Sequence, residues 1–203
     1  VSSASDAPEA LLGLARASDA AALGRLLEGY RNYLRLMARS LIGQALRLKL
    51  DPSDLVQETF LEAQRDFLRF RGGDEPELVA WLRKILVHNL ANQVEFHRAG
   101  RRDLRREASL EAELDRSGAA LHRLLAAPIS SPSARAVRRE EAVRLADALE
   151  RLPADYREVF VLRNLERLPF ERVAERMGRT GGAVRKLWGR ALIQLTDALK
   201  EAP

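Results

Sequence analysis

Residues 168–192 read LPFERVAERMGRTGGAVRKLWGRAL, a short amphipathic segment, a glycine and a longer basic segment. Val173, Ala174 and Met177 fall three and four apart, as one face of a helix requires. Gly178 can take the positive φ that ends such a helix, and Thr180 can cap the next. Apolar residues then recur at Val184, Trp188, Ala191 and Leu195. Two helices joined by a tight turn form a helix-turn-helix, whose second helix enters the major groove of DNA. Between Glu175 and Asp197 stand Arg176, Arg179, Arg185, Lys186 and Arg190 with no acid among them, a surface that duplex phosphates attract. The amides of Gly181 and Gly182, at the start of the second helix, suit a phosphate as well. A helical hairpin with a basic face also occurs in proteins that never touch DNA, so the stretch alone leaves both readings open.

The rest of the chain narrows the choice. It has 203 residues, 46% of them hydrophobic, enough for one large core or two small ones. Basic residues outnumber acidic ones 34 to 29. Lys49, Lys84, Lys186 and Lys200 are the lysines, so the cationic surface is built from arginine, whose planar fork matches phosphates and guanine edges. A GC-rich genome produces the same bias. The absence of cysteine excludes a disulfide framework, a thiol nucleophile and a thiolate metal site. His88, His97 and His122 lack metal-ligand spacing, and no phosphate loop, nucleophile elbow or dinucleotide fingerprint occurs. Binding rather than catalysis is therefore expected, with no catalytic residues, metal or cofactor. The N-terminus has no basic region followed by an apolar core, and no window approaches a membrane span. A cytoplasmic protein without membrane insertion is expected.

Periodicity is helical throughout, which predicts an all-α protein of two small helical domains joined by a linker. After an N-terminal tail, residues 1–19, a helix is expected over Ala20–Ile42 with Asp19 as its cap. Asp51-Pro52 opens a second that runs to about Phe70, because proline suits a first turn. A third covers Glu75 to about Arg98. Residues 103–133 contain Pro128-Ile129-Ser130-Ser131-Pro132-Ser133, the composition of a linker. Ala134–Leu152 is helical, Pro153 breaks it, and a further helix from Tyr156 leads into the opening motif. The C-terminal unit thus spans residues 134–199.

Two clusters in the N-terminal half bear on partners. Asp54, Glu58, Glu62 and Asp66 recur every four residues and put four carboxylates on one helical face. Like charges at this spacing oppose an isolated helix, with Arg65 and Arg69 as partial offsets. The stripe is either a solvated face or a docking surface for a basic partner. On the third helix Trp81 and Phe96 are interleaved with Arg83, Lys84, His88, Asn89, Asn92, His97 and Arg98, which lead into Arg101, Arg102, Arg105 and Arg106. Rings, amides and cations together suit unpaired DNA, whose bases stack while its phosphates need charge; a core tryptophan beside a solvated helix end is the other reading.

Three segments carry a resemblance to a known family. DPSDLVQETFLEAQRDFLRF (51–70), VAWLRKILVHNLANQVEFHRAGRR (79–102) and LADALERLPADYREVFVLRNLERLPFERVAERMGRTGGAVRKLWGRALIQL (145–195) resemble regions two and four of the extracytoplasmic-function branch of the sigma-70 family, the initiation factors of bacterial RNA polymerase. The resemblance implies a region two over residues 20–102 and a region four over 134–199. It implies that Asp54, Gln57, Glu58 and Phe60 grip the clamp coiled coil of core RNA polymerase, whose flap is a second contact. It implies that Trp81, Arg83, Lys84, Asn89, Asn92, Arg98, Arg101 and Arg102 open and hold the minus-ten element of promoter DNA. Arg179, Thr180, Gly182, Arg185, Lys186 and Arg190 match the reader of the minus-thirty-five element. The linker would thread through the polymerase, and an anti-sigma factor is a further partner the resemblance implies. The chain departs from the family at Pro169, where a capping serine is frequent, at Gly181, and at Leu187, Gly189 and Leu192, where arginine, histidine and arginine are frequent. The other functional reading is a stand-alone helix-turn-helix regulator acting as a dimer on a palindrome; a protein-binding helical adaptor would leave the acid-free basic stretch without a role.

Overall fold

The computed structural model describes residues 7–42, 50–97, 132–201 and the isolated positions 112 and 116. Every described element is helical, so the fold is all-α. The chain divides into two compact units, Val1–Leu114 and Asp115–Pro203.

In the first unit, α1 spans Pro8–Arg16, α2 Ala20–Gly29, α3 Arg31–Leu41, α4 Pro52–Asp66 and α5 Glu75–His97. Residues expected as a tail thus contain a helix: Pro8 occupies its first turn, and Leu11, Leu12 and Ala15 are buried. That face packs mainly on α2, and the burial repays the ordering that the sequence reading assigned to no element. The single helix expected over Ala20–Ile42 is two. The break falls at Gly29-Tyr30, where glycine is a weak helix former and Tyr30 takes a ψ of 0°. The Tyr30 ring is buried and its hydroxyl donates to Glu75 at 2.6 Å, so a tertiary hydrogen bond accompanies the break. The cap expected at Asp19 forms, accepting from the Ala22 amide at 2.9 Å, and Asp51, just before the expected first-turn proline, caps the next helix by accepting from the Ser53 amide at 2.6 Å.

α4 ends in a short 3-10 turn, Phe67–Arg69. The connection to α5 is closed by its own side chains: Asp74 accepts from the Glu77 amide at 2.9 Å, and Glu77 reaches back to the Gly73 amide. A side chain at position 72 would force its neighbours to shift, because a Cβ would collide with the Phe70 ring and with Glu77. Leu55, Leu78, Leu82, Leu86 and Leu90 are fully buried between the helices, each contributing about 1.5–3 kcal/mol.

The second unit comprises α6 Pro132–Arg151, α7 Ala154–Phe160 with a π turn over Val161–Leu165, α8 Phe170–Met177 and α9 Gly181–Glu201. Of the expected linker, residues 103–131 lie outside the described segments apart from positions 112 and 116, and Pro132 and Ser133 open α6. Arg157 terminates α6 by donating to the carbonyls of Leu149, Glu150 and Leu152 at 2.7–3.1 Å and pairing with Glu150. Orphan carbonyls at a helix end need such donors. Around α9 the core is Val159, Leu162, Val173, Ala174, Val184 and Ala191.

Candidate nucleic-acid interface

The turn between α8 and α9 is built as its residues dictate. Gly178 sits at φ 61°, ψ 35° and closes α8, a left-handed conformation that glycine adopts without strain. Thr180 caps α9 by accepting from the Ala183 amide at 3.3 Å. Val184, Ala191 and Leu195 are buried, which leaves Gly182, Arg185, Lys186 and Arg190 exposed along the outer face of α9. Leu187 is half-buried against the core, so its side chain packs inward, and Leu192 is half-buried too. At Gly189 nothing lies within 4 Å of where a Cβ would stand.

Three of the cations around the turn are paired with carboxylates. Arg176 pairs with Glu166, Arg179 with Asp155, and Arg185 with Glu171 at 2.7 Å. None of these carboxylates belongs to the acid-free stretch; the fold brings them from α7, from the turn after it and from α8. Lys186 and Arg190 have no hydrogen-bond or ion-pair partner among the described residues. Beneath Arg185 lies an aromatic platform. Its guanidinium is 5.4 Å from the Phe170 ring centroid, and Arg163 is 4.6 Å from the same ring. Trp188 meets Phe170 edge to face at 5.6 Å and donates its indole N–H to Asn164 at 3.0 Å. Phe170, Glu171 and Asp155 escaped the sequence reading because no local spacing links them to α9.

On α5, Trp81 is half-buried and stacked on Phe70 with centroids 4.9 Å apart, and Phe67 lies 6.4 Å from it. One face of its indole therefore already has a partner from the α4–α5 connection. Arg83 is half-buried, while Lys84 and Asn92 are exposed. Asn92 hydrogen-bonds His88 at 3.1 Å. Asn89 faces inward at 3% exposure, with an Nδ2 that has no partner among the described residues, so direct contact with a strand requires rearrangement. Arg98, Arg101 and Arg102 lie outside the described residues.

The acidic stripe of α4 is on the surface, with Asp54, Gln57 and Glu58 exposed and Glu62 and Asp66 half-buried. Phe60, expected as a partner contact, is turned into the core at 4% exposure, with the Arg31 guanidinium 5.0 Å above its ring. Arg31 also donates to Glu28 at 2.7 Å and reaches Gln57 at 3.4 Å. The Arg31 hydrogen bond holds the Glu28 carboxyl below its ordinary range, aided by charge attraction and opposed by desolvation, and Arg31 is raised in return. Glu58 accepts from Gln93 of α5 at 2.5 Å, and Asp66 accepts from Arg65 and Arg69. Leu61 and Leu68 stand exposed on the same helix and its 3-10 extension, at 58% and 88%.

None of the described helices is long and apolar enough to cross a membrane. The family model "Sigma-70, region 4" matches residues 142–195. Over 194 residues, 96% of this chain and 84% of the relative, the sequence is 31% identical to the ECF RNA polymerase sigma factor SigD of Mycobacterium tuberculosis. It is 33% identical over 136 residues, 66% of each protein, to the ECF RNA polymerase sigma-E factor of Escherichia coli. A solved RsbN–BldN complex aligns with 92% of this chain and 97% of its own at 26% identity and a TM-score of 0.31. Similarity that runs nearly end to end, through the acidic helix, the aromatic-basic helix and the helix-turn-helix alike, makes this chain a member of the extracytoplasmic-function family of RNA polymerase sigma factors.

Proposed function

We propose that the three surfaces divide the work of a sigma factor among themselves: α4 docks on the polymerase, α5 holds melted promoter DNA, and α9 reads the duplex upstream. The chain binds core RNA polymerase and directs it to promoters. The observation that carries the division is the placement of opposite charges on different helices, carboxylates exposed on α4 and Arg185, Lys186 and Arg190 exposed on α9. Oppositely charged partners, a basic coiled coil of the polymerase clamp and the phosphates of DNA, are sorted by such an arrangement.

Within α4, Asp54, Gln57 and Glu58 make the contact, Leu61 adds an apolar anchor, and Phe60 holds the helix from inside. Within α5, Lys84 and Asn92 face the strand together with Arg83, and Trp81 offers the face not covered by Phe70. Arg98, Arg101 and Arg102, which follow α5 in sequence, add charge for the same strand, and Asn89 enters only if α5 repacks. Within α9, Arg185 reads base edges while Lys186 and Arg190 hold phosphates; Arg179, Thr180 and Gly182 flank the backbone at the turn. Residues 20–102 and 134–199 act as the two promoter-contacting regions, with 103–133 between them. The second region also meets the polymerase flap. The protein works in the cytoplasm, by binding rather than by catalysis, and an anti-sigma factor competes for its polymerase-docking face.

Run-off transcription with purified core polymerase tests this. Addition of the chain yields start-specific transcripts; a chain that binds operator DNA without associating with polymerase is instead a stand-alone regulator.

A further inference from the structure

The Arg185 guanidinium is held from two directions by residues of another helix. Its Nη2 donates to Glu171 at 2.7 Å, and its central carbon lies over the Phe170 ring, 5.4 Å from the centroid. Both holders stand in the first turn of α8, fourteen and fifteen residues before it. The ring in turn is fixed: Trp188 abuts it edge to face, and Arg163, anchored on the Leu168 carbonyl at 3.0 Å, stacks on it. An exposed ion pair alone contributes little. A carboxylate in hydrogen-bond contact plus an aromatic floor does more, because it removes rotamer freedom that binding would otherwise have to remove. With Nη2 engaged, the Nη1 and Nε hydrogens remain for an acceptor. Lys186 and Arg190, on the same helix, have no comparable restraint among the described residues.

We propose that Glu171 and Phe170 are positioning residues that preset Arg185 for one base edge of the minus-thirty-five duplex, so that the first helix of the motif sets the base preference of the second. This rests on the reading of α9 as the duplex reader. A free arginine at this place would serve any phosphate or guanine within reach; a clamped one addresses a single geometry.

The experiment uses the full chain bound to core polymerase. A duplex pool randomised across the minus-thirty-five element supplies the preferred sequence, and preference is the affinity ratio between that duplex and each of its single-base changes. Arg185→Ala lowers the ratio at one position about tenfold. Glu171→Ala lowers it at the same position about fivefold, the upper end for an exposed pair, and leaves other positions alone. Glu171→Gln, which keeps an acceptor oxygen, restores most of it. In an Arg185→Ala background, Glu171→Ala has no further effect.

Unchanged preference after Arg185→Ala removes the duplex-reading role and the proposal with it. Loss after Arg185→Ala but none after Glu171→Ala leaves that role standing and overturns the positioning. Higher affinity for every duplex after Glu171→Ala marks the carboxylate as a competitor of DNA, and an effect that persists without Arg185 marks it as a part of the fold; either outcome overturns the proposal.

Discussion

Along α4 the carboxylates of Asp54, Glu58, Glu62 and Asp66 follow one another at four-residue intervals, the first two exposed, and Asp54 has no partner among the described residues. Along α9 the exposed cations are sorted: Arg185 is clamped by α8, whereas Lys186 and Arg190 have no partner among the described residues. A face that must steer a large basic partner gains from unpaired charge, since steering depends on the summed field. A face that must tell one base from another gains from fixed geometry, since discrimination depends on where each donor points. The difference teaches that net charge and charge order are separate properties of a binding surface.

Charge reversal on the acidic face produces the largest effect. Asp54→Lys combined with Glu58→Lys weakens association with core polymerase about a hundredfold, because like charges brought together cost several kcal/mol; equal affinity of variant and wild type in a titration would reduce the stripe to a solvated face. Second in size, Arg185→Ala costs about 1–3 kcal/mol on the preferred duplex and relaxes base preference at one position. Competition assays with single-base variants read this, and a uniform loss would reassign Arg185 to a phosphate. Third, Lys186→Ala and Arg190→Ala weaken all duplexes alike and lower the salt slope of binding by about one each. A position-specific effect from either residue would erase the contrast with Arg185.

The two smallest effects concern stability. Gly189→Ala stabilises the C-terminal unit by about 0.5–1 kcal/mol in thermal melts, since a Cβ meets nothing there and alanine favours helix over glycine. If duplex affinity falls while stability rises, the open space at Gly189 serves DNA approach. On the opposite unit, the depressed Glu28 carboxyl stabilises the fold above its unfolded pKa of about 4.3, and that contribution is lost as pH falls through the lower folded value. Glu28→Gln therefore separates from wild type in melts at pH 7 and converges with it at pH 2; persistence of the gap in acid would locate the effect elsewhere.

Local chemistry was legible in the chain. The caps at Asp19, Asp51 and Thr180, the left-handed Gly178 and the surface position of Asp54, Glu58, Lys186 and Arg190 all follow from residues within a few positions of one another. Distant residues decide what local spacing does not show. Leu11, Leu12 and Ala15 make a helix of an expected tail because α2 offers them a surface, and Tyr30 marks the break in an expected single helix while its hydroxyl binds Glu75, 45 residues away. Phe60 and Asn89 resemble contact residues in sequence and are core in the fold.

The sequence by itself determined the helical class, the two charged faces and the helix-turn-helix, because periodicity, capping and charge spacing act within one or two turns of a helix. Only the tertiary structure decided which charges stay free. Pairing Arg185 with Glu171, Arg179 with Asp155 and Glu58 with Gln93 requires helices to be packed side by side, and electrostatic and ring contacts act over a few ångströms of space irrespective of separation along the chain.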